Sequence, residues 1–217
     1  MKLKSFGCSF IFGSELQDDG YGSEYATASK FTWPALLANK FNLEYECFAK
    51  PGSGNTRIAE QVLNQIETQE PAVYVIGWTW IERFDYIDRT ARDSWNSINA
   101  WSTSDAARNY YQNIHSQYYD KLASLMSITL VQTQLEKLGC RYFMTYMDDL
   151  LFETQYHHSN ALQLMQSQLK PCLHNFDGLN FLEWSRKHGY PVGQRGQHPL
   201  EQAHAAACKY VLKNHSF

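Results

Sequence analysis

The stretch Lys2-Leu3-Lys4-Ser5-Phe6-Gly7-Cys8-Ser9-Phe10-Ile11-Phe12-Gly13 decides the fold class. Leu3 to Gly7 is a short apolar run that breaks into a turn bearing glycine and serine, the pattern of a buried strand ending at a loop. Three more runs repeat the pattern: Leu43 to Ala49, Val73 to Gly77 and Arg141 to Tyr146. Helical patterns separate them. Trp33 to Phe41 carries Pro34 near its first turn, and Thr56 to Thr68 carries Ile58, Val62 and Ile66 at steps of four. Tyr118 to Leu138 is stopped by Gly139, and Pro199 to Leu212 closes the chain with Pro199 suited to a first turn. Strands alternating with helices predict an α/β domain, a mainly parallel sheet with helices on both faces.

The chain has 217 residues, a length that suits one domain over 1–217. Trp78 to about Asn113 interrupts the rhythm. It is polar and aromatic and too long for a plain connection, so an insertion at about 78–113 is expected, partly helical, as a lid or one wall of a site. A second irregular stretch runs from Asp148 to Phe176. Hydrophobic residues make up 44%, enough for a core, while 14 Tyr, 12 Phe and 6 Trp suit either an aromatic core or a groove lined with rings.

A net charge of −3 lacks the basic field that non-specific nucleic-acid binding needs. No stretch approaches the roughly 20 apolar residues of a membrane span. Met1 to Gly7 lacks the apolar length and cleavage site of a secretion signal, so a cytoplasmic location is expected. Five scattered cysteines, with no C-x-x-C pair, read as reduced thiols rather than a disulfide frame or zinc site. His157-His158 has no spaced partner for a metal, and no cofactor is expected.

In parallel sheets ligands bind beyond the carboxyl ends of the strands, which directs attention to the segments that follow them. After the first strand, Ser9 sits beside a glycine where a tight turn can expose its hydroxyl; a cap role is the plainer alternative. After the second, Gly52-Ser53-Gly54-Asn55-Thr56 precedes a helix, so its backbone N–H groups can face an anion or oxyanion. An ordinary glycine turn capped by Asn55 or Thr56 is the alternative, and no Gly-Lys-Ser/Thr marks a phosphate loop. After the third come Trp78, Thr79 and Arg83. Thr79 can donate a hydrogen bond, and Arg83 can hold an anionic group or pair with Glu82 or Asp85. Near the C-terminus His198 falls on a loop, where an imidazole can act as a base. His204 falls inside the last helix on a face with Ala203, Ala207 and Val211, as a structural histidine would.

These segments, in this order, resemble the SGNH (GDSL-like) hydrolase family. Gly7-Cys8-Ser9 is similar to its Gly-Asp-Ser block, with Cys8 in place of Asp. Ser53-Gly54-Asn55-Thr56 is similar to the block whose glycine donates to the oxyanion, and Gly77-Trp78-Thr79 to Gly-x-Asn-Asp, with Thr79 at the Asn position. Gln197-His198-Pro199 matches the end of Asp-x-x-His, with Arg195 where Asp is expected. The resemblance implies a flavodoxin-like three-layer αβα sandwich and acyl-ester hydrolysis. Ser9 would be the nucleophile and His198 the base, with Gly54 and Thr79 supporting the oxyanion and Asn55, Trp78 and Arg83 beside them.

The implied substrate is a small-molecule or carbohydrate O-acyl ester, with O-acetyl as the narrower expectation. Trp78, Trp80, Trp95 and Trp101 are rings that a sugar face can stack on, and core positions are their alternative. A catalytically impaired binding module and an acyltransferase to a sugar acceptor are the alternative functions. With no acid at 195, His198 would be oriented by a backbone carbonyl, by Gln194 or Gln197, or by a carboxylate from elsewhere. Asp148 and Asp149 are the nearest such acids at a strand end, although a solvated turn explains them as well.

Overall fold

A computed structural model describes residues 1–18, 26–66, 71–88 and 94–215. In chain order the strands are β1 (Lys2–Gly7), β2 (Glu44–Cys47), β3 (Ala72–Trp78), β4 (Phe84–Ile87), β5 (Trp95–Ile98), β6 (Arg141–Tyr146) and β7 (Leu173–His174). The helices are α1 (Ser9–Phe12), α2 (Trp33–Lys40), α3 (Asn55–Ile66), α4 (Asp105–Asn113), α5 (Gln117–Lys137), α6 (Asn160–Leu169), α7 (Phe181–Lys187) and α8 (Glu201–Asn214). Five strands form one sheet in the order β2-β1-β3-β6-β7, and every pairing in it is parallel. β4 and β5 form a separate antiparallel hairpin.

Side chains that alternate along the central strands build two cores. On one face Leu3, Val73, Val75 and Phe143 pack with residues of α2, α7 and α8. On the other, Phe6, Tyr74, Ile76, Trp78 and Met144 pack under α3, α5 and α6. Both faces of a parallel sheet are thereby covered, as its apolar runs require. The result is the three-layer α/β sandwich expected from the alternation of elements. β1 lies between β2 and β3, so the chain reverses its direction of winding beside the carboxyl end of β1. Ser9 follows directly at this switch point, where α/β sheets open a crevice. α1 lies hard against the neighbouring strand: a Cβ on Gly77 would come within 2.6 Å of Ile11, so only glycine lets the turn pack there.

Two details differ from the sequence reading. The 148–176 stretch is not irregular throughout, since it holds a 3-10 turn at Asp149–Leu151, α6 and the two-residue β7. β7 is too short to carry a periodic signal of its own. Pro199 is not in a helical turn either. It forms a β-bridge with Val192, and α8 begins at Glu201. The 78–113 stretch holds the β4–β5 hairpin and α4. Among the described residues, no helix is long and apolar enough to cross a membrane.

His204 has the structural position expected of it. Wholly buried in α8, its Nδ1 accepts the backbone N–H of Trp33 at 3.1 Å and so satisfies a donor in the first turn of α2. Burial, with a smaller contribution from the charge of His198, pushes its pKa down from 6.5 to about 3. Because the folded value lies below the unfolded one, the stability held above pH 6.5 is lost as pH falls toward 3. His204→Phe is expected to lower the unfolding free energy near pH 7.5 by about 1–3 kcal/mol, since it strands a buried donor. It should also flatten the acid limb of the stability curve. Urea melts across a pH series check both effects.

Candidate active site

Ser9 begins α1, a single turn, and its hydroxyl opens into a cavity of about 570 Å³. The His198 Nε2 lies 2.8 Å from Ser9 Oγ. On the other side of the ring, Nδ1 lies 2.7 Å from Glu15 Oε2. The nucleophile candidate, the base candidate and a carboxylate thus form one hydrogen-bonded line. The Phe10 ring packs against His198 at 5.0 Å between centroids and limits how the imidazole can tilt.

Glu15 does more than meet the ring. It accepts backbone N–H bonds from Arg195 at 2.8 Å, Gly196 at 2.8 Å and His198 at 3.3 Å. One carboxylate therefore shapes the loop that carries the imidazole. The loop is tight, with Gly193 N–H donating to the His198 carbonyl at 2.8 Å. A Cβ on Gly196 would fall 2.3 Å from the His198 ring, so a side chain there would displace it. Burial works to raise the Glu15 pKa, but bonds from the His198 ring and the three N–H groups outweigh it and hold the carboxyl below its usual value. An ionised Glu15 requires the proton on Nδ1, which leaves Nε2 free to accept from Ser9.

Glu15 was not singled out in the sequence. Arg195 occupies the position where an acid is expected, and its backbone N–H, not its side chain, is what the site uses. Gln197 Nε2 instead donates to the Gly193 carbonyl at 3.3 Å. Asp148 is buried and accepts the N–H groups of Ile81 at 2.9 Å and Leu150 at 3.0 Å, tying the loops after β3 and β6 together. The available signal was an acid six residues past Ser9, on the same crossing loop. Its long side chain can return to the carboxyl end of the sheet.

The other expected residues are placed differently. Gly54 N–H donates to Asp85 Oδ1 at 2.9 Å rather than opening into the cavity. Asp85 Oδ2 accepts the Arg57 N–H at 2.9 Å, so this carboxylate of the hairpin caps the start of α3. Burial pushes the Asp85 pKa up despite those bonds and that of Ser97. Asn55 is buried as a clamp: its Oδ1 accepts Thr79 N–H at 2.9 Å, and its Nδ2 donates to the Thr79 carbonyl at 3.2 Å and Ser124 Oγ at 3.0 Å. Thr79 is fully buried and its hydroxyl does not line the cavity. Trp78 follows the inward register of Ile76 into the core, with its indole N–H on Met144 Sδ at 3.4 Å. Trp95 is half-buried on β5. Trp80, Arg83, Asn99 and Trp101 line the cavity with Ser9 and His198, so the 78–113 stretch forms one wall of it. Among the described residues, no group of three or more His, Cys, Asp or Glu is placed to hold a metal.

No protein-family model matches the sequence, and no curated protein matches it. Solved structures do match the fold. A catalytic mutant of Axe2, an acetylxylan esterase from Geobacillus stearothermophilus, superposes with a TM-score of 0.55 at 10% identity, covering 100% of this chain and 94% of that one. A protein from Desulfitobacterium hafniense DCB-2, described as lipolytic and of the G-D-S-L family, gives 0.53 at 10% identity over 98% of both chains. The chain has the fold of the SGNH hydrolases. The acetyl xylan esterase Est2A from Butyrivibrio proteoclasticus gives a TM-score of 0.50 at 12% identity, over 98% of this chain and 62% of that one. At such identities the likeness concerns the sheet and its helices. Side-chain roles rest on this chain's own geometry.

Glu15→Ala should open the 193–198 loop. The expected loss of unfolding free energy near neutral pH is about 1–3 kcal/mol, since the loop loses hydrogen bonds to a charged acceptor. A lowered folded pKa means that this contribution is present above the ordinary value of 4.5 and lost as pH falls through the folded value. The gap between mutant and wild type should therefore narrow in acid, as urea melts at neutral and acidic pH would show.

Proposed function

We propose that this chain is a divergent SGNH-type serine hydrolase acting on an O-acyl ester, with Ser9, His198 and Glu15 as its triad. The observation that carries the reading is the unbroken line from Ser9 Oγ through the His198 ring to Glu15, at 2.8 and 2.7 Å. His198 Nε2 takes the proton of Ser9 as Oγ attacks the ester carbonyl. Glu15 holds the ring in the tautomer that leaves Nε2 unprotonated and stabilises the imidazolium that forms. The imidazolium then protonates the departing alkoxide, leaving an acyl-Ser9. Water, deprotonated by the same nitrogen, attacks the acyl group and releases the acid.

The tetrahedral oxyanion would meet the backbone N–H of Ser9, which has no hydrogen-bond partner among the described residues. The Gly54 N–H is held by Asp85 and the Thr79 hydroxyl is buried, so the oxyanion site has fewer donors than the resemblance implies. Each such donor is worth about 10²–10³ in rate, which points to a slow enzyme. Trp80 and Trp101 flank the cavity and suit a carbohydrate-borne acyl group, in keeping with the acetylxylan esterases that share the fold.

The same shortage of donors favours one second reading, a binding module on this fold that retains the pocket without turnover. A fluorophosphonate probe separates the two: the hydrolase labels at Ser9, and the binding module does not. Hydrolysis of p-nitrophenyl acetate should be lost in Ser9→Ala and fall by about 10⁴ in kcat in Glu15→Gln, where the neutral amide no longer enforces the tautomer. Equal rates in wild type and Ser9→Ala would overturn the assignment of Ser9.

A further inference from the structure

One wall of the cavity carries the positive charge of Arg83, which among the described residues has no salt-bridged carboxylate. Arg83 lines the cavity and is held in two ways: Nη1 donates to the Ser53 carbonyl at 3.2 Å, and Cζ lies 5.1 Å over the Trp80 ring. Among the described residues, Arg83 makes no ion pair with any carboxylate. Neither of its two acidic neighbours in sequence forms a salt bridge with it. Asp85 is consumed by the N–H groups of Gly54 and Arg57 and by the Ser97 hydroxyl. The Glu82 pKa is raised, first by burial and then by the charge of Asp148, while the charge of Arg83 acts against that shift.

A second donor lies on the same wall. The Asn99 Oδ1 accepts from Ser102 Oγ at 2.9 Å, and Ser102 Oγ accepts the Asn99 N–H at 3.0 Å. That exchange fixes the amide so that Nδ2 is left as a donor without a partner among the described residues. Among the described residues, no carboxylate lines this cavity. The wall is therefore rich in donors, poor in acceptors and bounded by two indoles, with Trp101 exposed to 71% at the rim. A half-buried guanidinium loses hydration that only an anion or a good acceptor restores, and a fixed one loses little further freedom on binding.

We infer that the ester this cavity accepts carries a negatively charged group, a carboxylate, which Arg83 binds with help from Asn99 while the acyl carbonyl faces Ser9. The inference rests on the hydrolase reading for the position of the ester, but the anion site stands on Arg83 and Asn99 alone. The substrate class is an acylated acid, such as an acylated sugar acid, rather than an acylated neutral sugar.

The test uses paired esters of matched shape, 4-acetoxybenzoate and the neutral 4-acetoxybenzamide, with wild type, Arg83→Gln and Arg83→Lys. Binding of the two parent phenols, 4-hydroxybenzoate and 4-hydroxybenzamide, is followed in parallel by NMR. Arg83→Gln should lose about 10- to 100-fold more kcat/KM on the carboxylate ester than on the amide, the span of one charge-assisted contact. Arg83→Lys should fall between, and 4-hydroxybenzoate binding should weaken by a similar factor in Arg83→Gln. Equal losses on both esters, with equal binding of both phenols, would overturn the anion site and leave the hydrolase reading in place. Arg83-dependent binding of 4-hydroxybenzoate by a protein that turns over neither ester would sustain the anion site and sink the hydrolase reading. Thermal melts of the variants distinguish a binding defect from a folding one.

Discussion

The carboxylate of Glu15 gathers three backbone N–H groups and one imidazole into a single point, and the candidate site depends on that convergence. Four donors on one carboxylate offset the cost of burying it and keep it ionised. In return the carboxylate sets the conformation of the 193–198 loop, the tautomer of His198 and the position of Nε2 on Ser9. A distinct residue for each task would need three independent alignments. Here one side chain, reaching across from the loop that follows α1, supplies all of them. The loop and the acid therefore stand or fall together, and loss of the acid perturbs geometry as well as charge.

The second organising contact is Asp85. It joins the β4–β5 hairpin to the first turn of α3, placing a buried carboxyl group at the positive end of that helix. This anchors the wall that carries Arg83, Asn99 and Trp101 over the cavity. It also occupies the Gly54 N–H, one of the groups that the resemblance assigns to the oxyanion. The 78–113 stretch thus lines the cavity while its Asp85 occupies the Gly54 N–H.

Much of the fold was legible because apolar runs and helical periodicity are local signals. The four runs of Leu3, Leu43, Val73 and Arg141 correspond to β1, β2, β3 and β6, and the helices that separate them fall within a few residues of their expected bounds. β7, with two residues, has no pattern to read, and α6 lay hidden in a stretch taken as irregular. For the candidate site, Ser9 stood out because it directly follows the first strand, and His198 because it falls on the loop before the last helix. Trp78, Thr79 and Asn55 were misplaced because strand register and a side-chain clamp, not proximity to a strand end, decide which way they face.

By itself, then, the order of residues determined the layered α/β architecture, the edge at which a site forms and two of the groups that meet there. Only the tertiary structure decided which acid completes the line. Glu15 and His198 are 183 positions apart and share no motif. Their pairing arises because β1 lies inside the sheet, between β2 and β3, and α8 packs beside α2, which returns the 193–198 loop to the turn that holds Ser9. Local patterns encode burial and periodicity. A hydrogen bond between distant side chains is set by where the layers bring their loops.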